Sequence, residues 1–180
     1  MIFLFLFIIT LFIVIILFSS HKLSPIPYFP TNKRDIPLII KSFNLKNNQI
    51  IYDLGAGDGS VIFATAKQAQ QKKLNTQFVA VEINPVLILI LNIRHLFHPN
   101  KKNIKIVWAD MFKIDLKSKI SNLIIFLYIS PWFLEKVIKN LKLKIKKFSV
   151  ISYMYPIKSL KKFETIKKGY AHDIFIYTDF

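Results

Sequence analysis

Hydrophobic and polar positions divide this chain into an apolar N-terminal run and a longer region of short alternating segments. Residues 1–18 carry no charge, and Thr10 is the one residue among them that is not apolar. A helix of this length extends about 27 Å, close to the thickness of a bilayer's hydrocarbon core. All basic residues follow the run, so the positive-inside bias places the rest of the chain in the cytoplasm. We therefore expect residues 1–18 to be a single-pass anchor in a bacterial inner membrane. A cleaved signal peptide is the alternative, although no Lys or Arg precedes the run and no A-x-A motif follows it.

Residues 19–48 have the pattern of a proline-rich linker with one short helix. Pro25, Pro27 and Pro30 each fix a backbone φ angle and favour an extended, stiff tether. Asp35 is expected to cap the short helix, with Pro37 in its first turn.

Residues 49–180 alternate between strand and helix patterns. Asn84 and Pro85 are expected to cap and open the second helix, which is apolar nearly all round and is therefore predicted to be heavily buried. Such alternation with short connections predicts an α/β domain whose parallel sheet carries helices on both faces. The predicted strands are residues 49–54, 77–82, 103–109, 122–128, 149–155, 162–168 and 173–177, and the predicted helices are residues 60–71, 86–98 and 130–141.

Composition narrows the classes of function. The hydrophobic fraction of 53% excludes a disordered chain, and the absence of Cys excludes disulfides, thiolate metal sites and cysteine nucleophiles. The four His residues are too scattered to predict a metal site.

The net charge of +16 is concentrated towards the C-terminus, where residues 136–168 contain 11 Lys and one acidic residue, Glu164. This basic stretch is open to three interpretations: an RNA-binding surface, a contact with anionic lipid, or a solvated face in a lysine-rich chain. The expected anchor favours the second and third over nucleic acid.

The candidate chemistry lies in the turn between the first predicted strand and helix. Asp53, Gly55, Gly57 and Gly59 give the pattern D-x-G-x-G-x-G, in which glycine allows a sharp turn and close approach of a ligand. Glu82 ends the next strand, where a carboxylate can accept hydrogen bonds from ribose hydroxyls. The pattern predicts a nucleotide-type ligand, while a purely structural tight turn stays open.

Carboxylates in and beside this turn favour a cationic ligand. Asp53 and Asp58 would repel a pyrophosphate but attract a ligand that carries an amine and a sulfonium, which is the charge profile of S-adenosylmethionine. Asp110 ends the third strand and can accept a hydrogen bond from an adenine amino group, with Met111 beside it. Asp110 alone could equally be a loop cap.

Four stretches together resemble the class I S-adenosylmethionine-dependent methyltransferases: D-L-G-A-G-D-G from Asp53, V-E-I-N-P from Val81, A-D-M from Ala109 and L-Y-I-S-P-W from Leu127. The upstream stretch P-Y-F-P-T from Pro27 resembles the pre-motif of a membrane-anchored protein-lysine methyltransferase family. Members of that family modify adenine nucleotide translocase and the ATP synthase c-subunit. The similarity runs from residue 24 to residue 180. Ala80 departs from it, since a glycine is common there.

The resemblance implies a Rossmann-like seven-stranded sheet, mostly parallel with an antiparallel C-terminal strand, over residues 49–180. It implies S-adenosylmethionine contacts from Asp53, Gly55, Ala56, Gly57, Asp58, Gly59, Glu82, Ile83, Asn84, Asp110, Met111 and Leu127. It implies an acceptor site formed by Tyr28, Pro30, Thr31, Tyr128, Ser130 and Pro131.

Together these features predict a membrane-tethered methyltransferase that modifies a lysine of a membrane protein by in-line methyl transfer. We hypothesise that Tyr28 and Thr31 fold over the mouth of the site and hydrogen-bond the incoming amine. The alternative, held equal, is that Tyr28 only packs between its neighbouring prolines. Two other functions stay open: an RNA or small-molecule methyltransferase of the same fold, and a cofactor-binding module without activity.

Overall fold

The computed structural model describes residues 1–19, 26–114, 116 and 122–178. Of the predicted linker, residues 20–25, which include Pro25, lie outside the described residues. The helices are α1 (Ile2–Ser19), α2 (Ile36–Ser42), α3 (Ser60–Gln71), α4 (Pro85–Leu96) and α5 (Pro131–Lys144), with short 3₁₀ turns at Lys101–Asn103 and Lys158–Phe163. The strands are β1 (Ile50–Leu54), β2 (Gln77–Glu82), β3 (Ile104–Trp108), β4 (Leu123–Leu127), β5 (Ser149–Tyr153), β6 (Glu164–Lys167) and β7 (Ile174–Tyr177).

The described strands form one sheet in the order β3-β2-β1-β4-β5-β7-β6. The first five run parallel, whereas β7 pairs antiparallel with both β5 and β6. All five residues of β4 are buried, because this near-continuous apolar strand is covered on both faces. The predicted mixed α/β sheet with an antiparallel C-terminal strand is confirmed.

Side chains that alternate along the strands build one core on each face of the sheet. Tyr52, Val79 and Ile125 point to the face covered by α5, while Ile51 and Phe78 point to the face covered by α2 and α3. Because β1 to β5 run parallel, their carboxyl ends meet at one edge of the sheet, where ligand sites of such folds lie.

Helix α1 consists almost entirely of exposed apolar side chains. Within the part of the chain that is described, however, no helix meets the length and apolarity needed to cross a membrane. The prediction of a transmembrane anchor over residues 1–18 is therefore not supported.

Helix α4 begins as predicted but is not buried as predicted. The Asn84 side chain accepts hydrogen bonds from the backbone N–H groups of Val86 and Leu87, at 2.9 and 3.3 Å. Only Leu87 and Leu91 of this helix are buried. The prediction of heavy burial is wrong because α4 packs one side on the sheet near the edge strand β3, and no described element covers its outer side.

Asp35 precedes α2 as predicted, yet its side chain does not cap that helix. Its carboxylate instead accepts hydrogen bonds from the hydroxyl of Tyr153 at 2.7 Å and from the backbone N–H groups of Tyr170, Ala171 and His172. Burial alone would raise the pKa of this carboxyl, but these four donors together lower it below its ordinary value. The segment before α2 is thus tied to the turn between β6 and β7.

Candidate active site

A cleft opens at the carboxyl ends of β1, β2 and β4, where ligand sites of such folds lie. One wall is the segment of residues 26–31, which crosses above the glycine turn. The predicted site residues that line the cleft are Tyr28, Thr31, Asp53, Gly55, Ala56, Gly57, Asp58, Glu82, Ile83, Asp110, Met111 and Tyr128.

The turn after β1 needs glycine at the three predicted positions. Gly55, Gly57 and Gly59 all have positive φ angles, of 90°, 59° and 77°, which side chains with a Cβ rarely adopt. The N–H groups of Gly55 and Ala56 both donate to the carbonyl oxygen of Val81 at 2.9 Å, which holds the turn against β2.

Tyr28 packs on this turn. A Cβ atom on Gly57 would lie 2.7 Å from Cε2 of Tyr28, so the missing side chain is what lets the ring approach. Burial raises the pKa of Tyr28, and the charge of Asp58 and a hydrogen bond to it act in the same direction. The phenol is therefore neutral at physiological pH, and its ring packs on the glycine turn.

Asp53 lies at the floor of the cleft with 3% of its surface exposed. Burial, with the nearby charges of Glu82 and Asp58, raises the pKa of its carboxyl to about 8. An uncharged acid at this position becomes a carboxylate when a cation approaches, because the cation offsets the cost of burying the negative charge.

Glu82 ends β2 and braces the glycine turn. Its Oε2 accepts a hydrogen bond from the N–H of Gly57 at 2.8 Å, and its Oε1 accepts from the N–H groups of Ile83 and Asn84 at 2.8 and 2.9 Å. A carboxylate has about four acceptor positions, so one position on Oε2 stays available to a ligand. Glu82 thus supports the turn as well as facing the cleft.

Asp58 is held by an ion pair that the sequence did not predict. Nη1 of Arg94, on α4, lies 2.7 Å from Oδ2 of Asp58 and 2.6 Å from its carbonyl oxygen. The N–H and hydroxyl of Ser60 also donate to this carboxylate, at 3.0 and 2.6 Å. Because Arg94 offsets its charge, Asp58 contributes less negative potential to the cleft than we expected.

The adenine end of the predicted site is formed by the loop after β3. Oδ1 of Asp110 accepts a hydrogen bond from the N–H of Phe112 at 2.9 Å, so this side chain does cap its loop, and it also faces the cleft. Met111 reaches the floor of the glycine turn, since its Cε would lie 3.2 Å from a Cβ on Gly55. Ile83 and Met111 supply apolar surface on either side of Asp110.

The opposite end of the cleft is aromatic. The ring of Tyr128 packs edge-on against Tyr153, with centroids 4.8 Å apart, and its hydroxyl faces Sδ of Met154 at 4.0 Å. Burial raises the pKa of Tyr128, as it does for Tyr153, whose hydroxyl also donates to Asp35. The Tyr128 ring is therefore supported by the same residue that contacts Asp35.

Six predicted site residues do not line the cleft. Leu127 is fully buried because it faces the α5 core. Gly59 directly precedes α3, where a Cβ atom would meet the ring of Phe63 and the side chain of Leu91. Asn84 is occupied in capping α4, Ser130 and Pro131 start α5, and Pro30 is exposed outside the cleft.

Several residues in and beside the cleft were not predicted from the sequence. Ser60 directly follows the glycine turn, and its contact with Asp58 could have been predicted from that position. Arg94 comes from a helix 36 residues downstream of Asp58, and no local pattern predicts that pairing. The other lining residues not predicted are Ile26, Pro27, Phe29, Val61, Val81, Leu87, Ala109, Phe112, Phe126 and Ile129.

Across the described residues, no group of three or more His, Asp or Glu side chains is arranged to hold a metal ion.

Comparison with protein families gives one match over just over half of the chain. The model of the family described as PRMT5 arginine-N-methyltransferase matches residues 33–130. The match includes α2, the glycine turn and all strands up to β4.

Three proteins that are similar to this chain are each named as methyltransferases. The chain is 26% identical over 161 residues to a protein-lysine N-methyltransferase of Saccharolobus islandicus, covering 84% of this chain and 92% of that one. An RNA methyltransferase of Salinibacter ruber, solved with S-adenosyl-L-homocysteine, superposes with a TM-score of 0.68 at 18% identity, covering 83% and 93% of the two chains. A precorrin-6Y C5,15-methyltransferase of Geobacter metallireducens superposes with a TM-score of 0.59 at 15% identity, covering 89% and 93%.

Proposed function

The chain belongs to the family described as PRMT5 arginine-N-methyltransferase, and from that premise we propose that it is an S-adenosylmethionine-dependent methyltransferase acting on a protein lysine. The family match ends at residue 130, before α5 and the C-terminal strands. The lysine methyltransferase relative is similar over 84% of the chain, which supports lysine as the acceptor.

The residues of the cleft fit S-adenosylmethionine. Its ammonium group suits Asp53, whose buried acid ionises beside a cation, and its ribose suits the remaining acceptor position of Glu82. Asp110, Ile83 and Met111 suit the adenine. When bound, this cofactor supplies a methyl group on a sulfonium, which an uncharged amine can accept.

The observation that carries the lysine proposal is the chemistry of the aromatic end. A guanidinium is held best by carboxylates that accept its forked N–H groups. Neither the segment of residues 26–34 nor residues 127–131 contains an acidic residue. The two tyrosines that face the cleft there, Tyr28 and Tyr128, offer neutral hydroxyls and ring faces, which suit an amine better than a guanidinium.

This environment also favours the reactive form of lysine. An unperturbed lysine has a pKa of about 10.4 and is protonated at neutral pH. Aromatic walls disfavour the ammonium form by desolvation, so the pKa of the bound lysine falls and its proton passes to solvent. Because the Tyr28 hydroxyl is hydrogen-bonded to Asp58, its oxygen can accept an N–H from the amine and orient the nitrogen lone pair. Tyr128 forms the facing wall.

The proposed location is a membrane, with the catalytic domain on the cytoplasmic side and a membrane protein as substrate. The exposed apolar surface of α1 supports this proposal, because soluble monomers rarely expose a large contiguous apolar patch. Its test is the distribution of the full chain between membrane pellet and supernatant after an alkaline wash. Recovery in the supernatant would contradict the location while leaving the chemistry intact.

The activity is tested by transfer of labelled methyl groups. The purified full chain is incubated with labelled S-adenosylmethionine and with membrane, soluble-protein and RNA fractions of cells that lack the gene. We expect label in protein, recovered after acid hydrolysis as methyl-lysine. Label recovered as methyl-arginine would assign the alternative acceptor that the family description names, and label only in RNA would overturn a protein substrate.

Two variants make the assay specific to the cleft. Asp53→Ala removes the buried acid, and we expect it to abolish transfer. Tyr170→Phe, a change at an exposed residue outside the cleft, is the matched control and should leave transfer unchanged. No label with any fraction, despite cofactor binding, would favour the inactive module.

A further inference from the structure

The outer side of α4 carries an exposed apolar stripe. Leu89, Ile90, Ile93, Leu96 and Phe97 are each at least about one-third exposed, and we call these five residues the α4 face. Their spacing of three and four residues puts them on one side of the helix. The inward residues Leu87 and Leu91 are buried against the sheet. The stripe is therefore a second apolar side on a helix that already has one packed in the core.

Lysines follow the α4 face in the chain. No Asp or Glu occurs between Glu82 and Asp110. Lys101 and Lys102 are exposed just beyond the helix, and Nζ of Lys101 donates to the carbonyl oxygen of Leu96 at 3.2 Å. Arg94, on the same helix, is instead committed to Asp58. An apolar stripe bordered by lysines is the composition of surfaces that lie on anionic bilayers.

Neighbouring apolar groups continue this surface at the start of the helix. The C-terminal end of α1 packs beside α4, where Nδ2 of Asn84 lies 3.5 Å from the carbonyl oxygen of Leu17. The exposed ring of Trp108 is held next to this point by a hydrogen bond from its Nε1 to the carbonyl oxygen of Ile83 at 2.9 Å. Tryptophan with an apolar ring and a polar edge is enriched where protein meets the lipid interface.

We propose that the α4 face rests on the surface of an anionic lipid bilayer, with Lys101 and Lys102 against the headgroups. This contact is independent of the methyl-transfer chemistry. It also differs from the lipid contact predicted for residues 136–168, because α5 and α4 pack on opposite faces of the sheet. One flat membrane cannot touch both faces.

The choice between the two faces rests on their composition. The exposed positions of α5 include Lys136, Lys139 and Lys142, but also Glu135, and its exposed large apolar residues are two, Trp132 and Leu143, at opposite ends of the helix. The α4 face instead presents five large apolar side chains together. Burial of apolar side chains at the headgroup boundary adds to the attraction of lysines for anionic lipid, so the α4 face is the better partner.

Single labelled cysteines test the proposal in the full chain. The protein has no Cys, so a cysteine introduced by Phe97→Cys or by Leu143→Cys is the one site for a fluorescent thiol probe. These positions are matched, with 80% and 78% exposure on opposite faces of the sheet. Each protein is reconstituted with phosphatidylcholine vesicles, with or without phosphatidylglycerol, and quenching by a nitroxide lipid is compared with quenching by aqueous iodide.

We expect the probe at residue 97 to be quenched several-fold more by nitroxide lipid than the probe at residue 143, and only with phosphatidylglycerol present. Equal quenching at the two positions, or stronger lipid quenching at residue 143, would overturn the proposal. An Ile93→Cys probe repeats the test at a second position. If the probe at residue 97 is shielded from iodide when no vesicles are present, a second protein copy covers the α4 face. That outcome would also overturn the proposal.

Charge reversal at the border supplies the second test. Lys101→Glu with Lys102→Glu leaves α1 and the α4 face intact. We expect the lipid quenching at residue 97 to fall on the order of tenfold, since each lysine near an anionic surface adds appreciable attraction. Unchanged quenching in this double variant would contradict the assignment to anionic lipid.

Discussion

The ring of Tyr28 lies over Gly57, so close that a Cβ at residue 57 would be 2.7 Å from the ring's Cε2. The segment that covers the cleft and the turn that forms its floor therefore depend on each other. Gly57→Ala should destabilise the protein by about 2–3 kcal/mol, because alanine is disfavoured at a φ of 59° and Tyr28 must also move.

A double-mutant cycle, read from urea unfolding, isolates the contact. In a Tyr28→Ala background the same change at Gly57 should cost about 1 kcal/mol less. In a Tyr170→Ala background the cost should be unchanged. Full additivity with Tyr28→Ala would show that the ring does not constrain the turn.

The Tyr28 hydroxyl is predicted to act on turnover more than on cofactor binding. Tyr28→Phe keeps the ring on Gly57 but removes the oxygen that orients the amine, so kcat should fall about tenfold. The dissociation constant for S-adenosylmethionine, measured by calorimetry, should change less than about threefold. Equal turnover by wild type and variant would remove this hydroxyl from the mechanism.

The raised pKa of Asp53 predicts that the affinity for the cofactor depends on pH. Its carboxyl has a pKa of about 8 in the free protein, so near neutral pH it must lose a proton to pair with an ammonium group. Affinity should rise as pH increases towards 8, by at most about tenfold per pH unit, and then level off. Asp53→Asn should bind more weakly and lose this slope. The same slope in that variant would mean that another group titrates.

The lowered pKa of Asp35 predicts that the stability of the protein decreases in acid. Its folded pKa is below the ordinary 3.8, so its contribution is present in full above that pH and is lost as pH falls through the folded pKa. Asp35→Ala should destabilise the protein by about 3 kcal/mol at pH near 7, since it leaves four donors without their acceptor. Below the folded pKa the difference between wild type and variant should shrink. Asp173→Ala is the control for a nearby carboxylate, and a constant difference across pH would contradict the assignment.

The sequence predicted those parts of the fold that depend on local pattern. The bounds of α3 and β2 and the Asn84 cap agree with the prediction because each follows from residues within a few positions of one another. Burial of α4 could not be predicted in this way. An apolar helix does not reveal how many of its sides have neighbours, and here one side of α4 is exposed.

Long-range partners account for what the sequence missed in the site. Glu82 was predicted from its position at the end of β2. The hydrogen bond that it accepts from Gly57 joins β2 to the glycine turn, so Glu82 also supports the turn. Arg94 reaches Asp58 from another helix, which changes the charge that the cleft presents. Asp35 was predicted to cap the helix that follows it, whereas its carboxylate accepts hydrogen bonds from residues some 135 positions further along the chain.

The bonds of Asp35 also set an order of events during synthesis. The ribosome makes Asp35 135 residues before Tyr170, which with Ala171 and His172 holds the Asp35 carboxylate. On a nascent chain the sheet strands β1 to β4 can pair before the cover of the cleft is fastened. The hydrogen bonds that fix the chain next to the cover of the cleft can therefore form only after residues 170–172 have been synthesised.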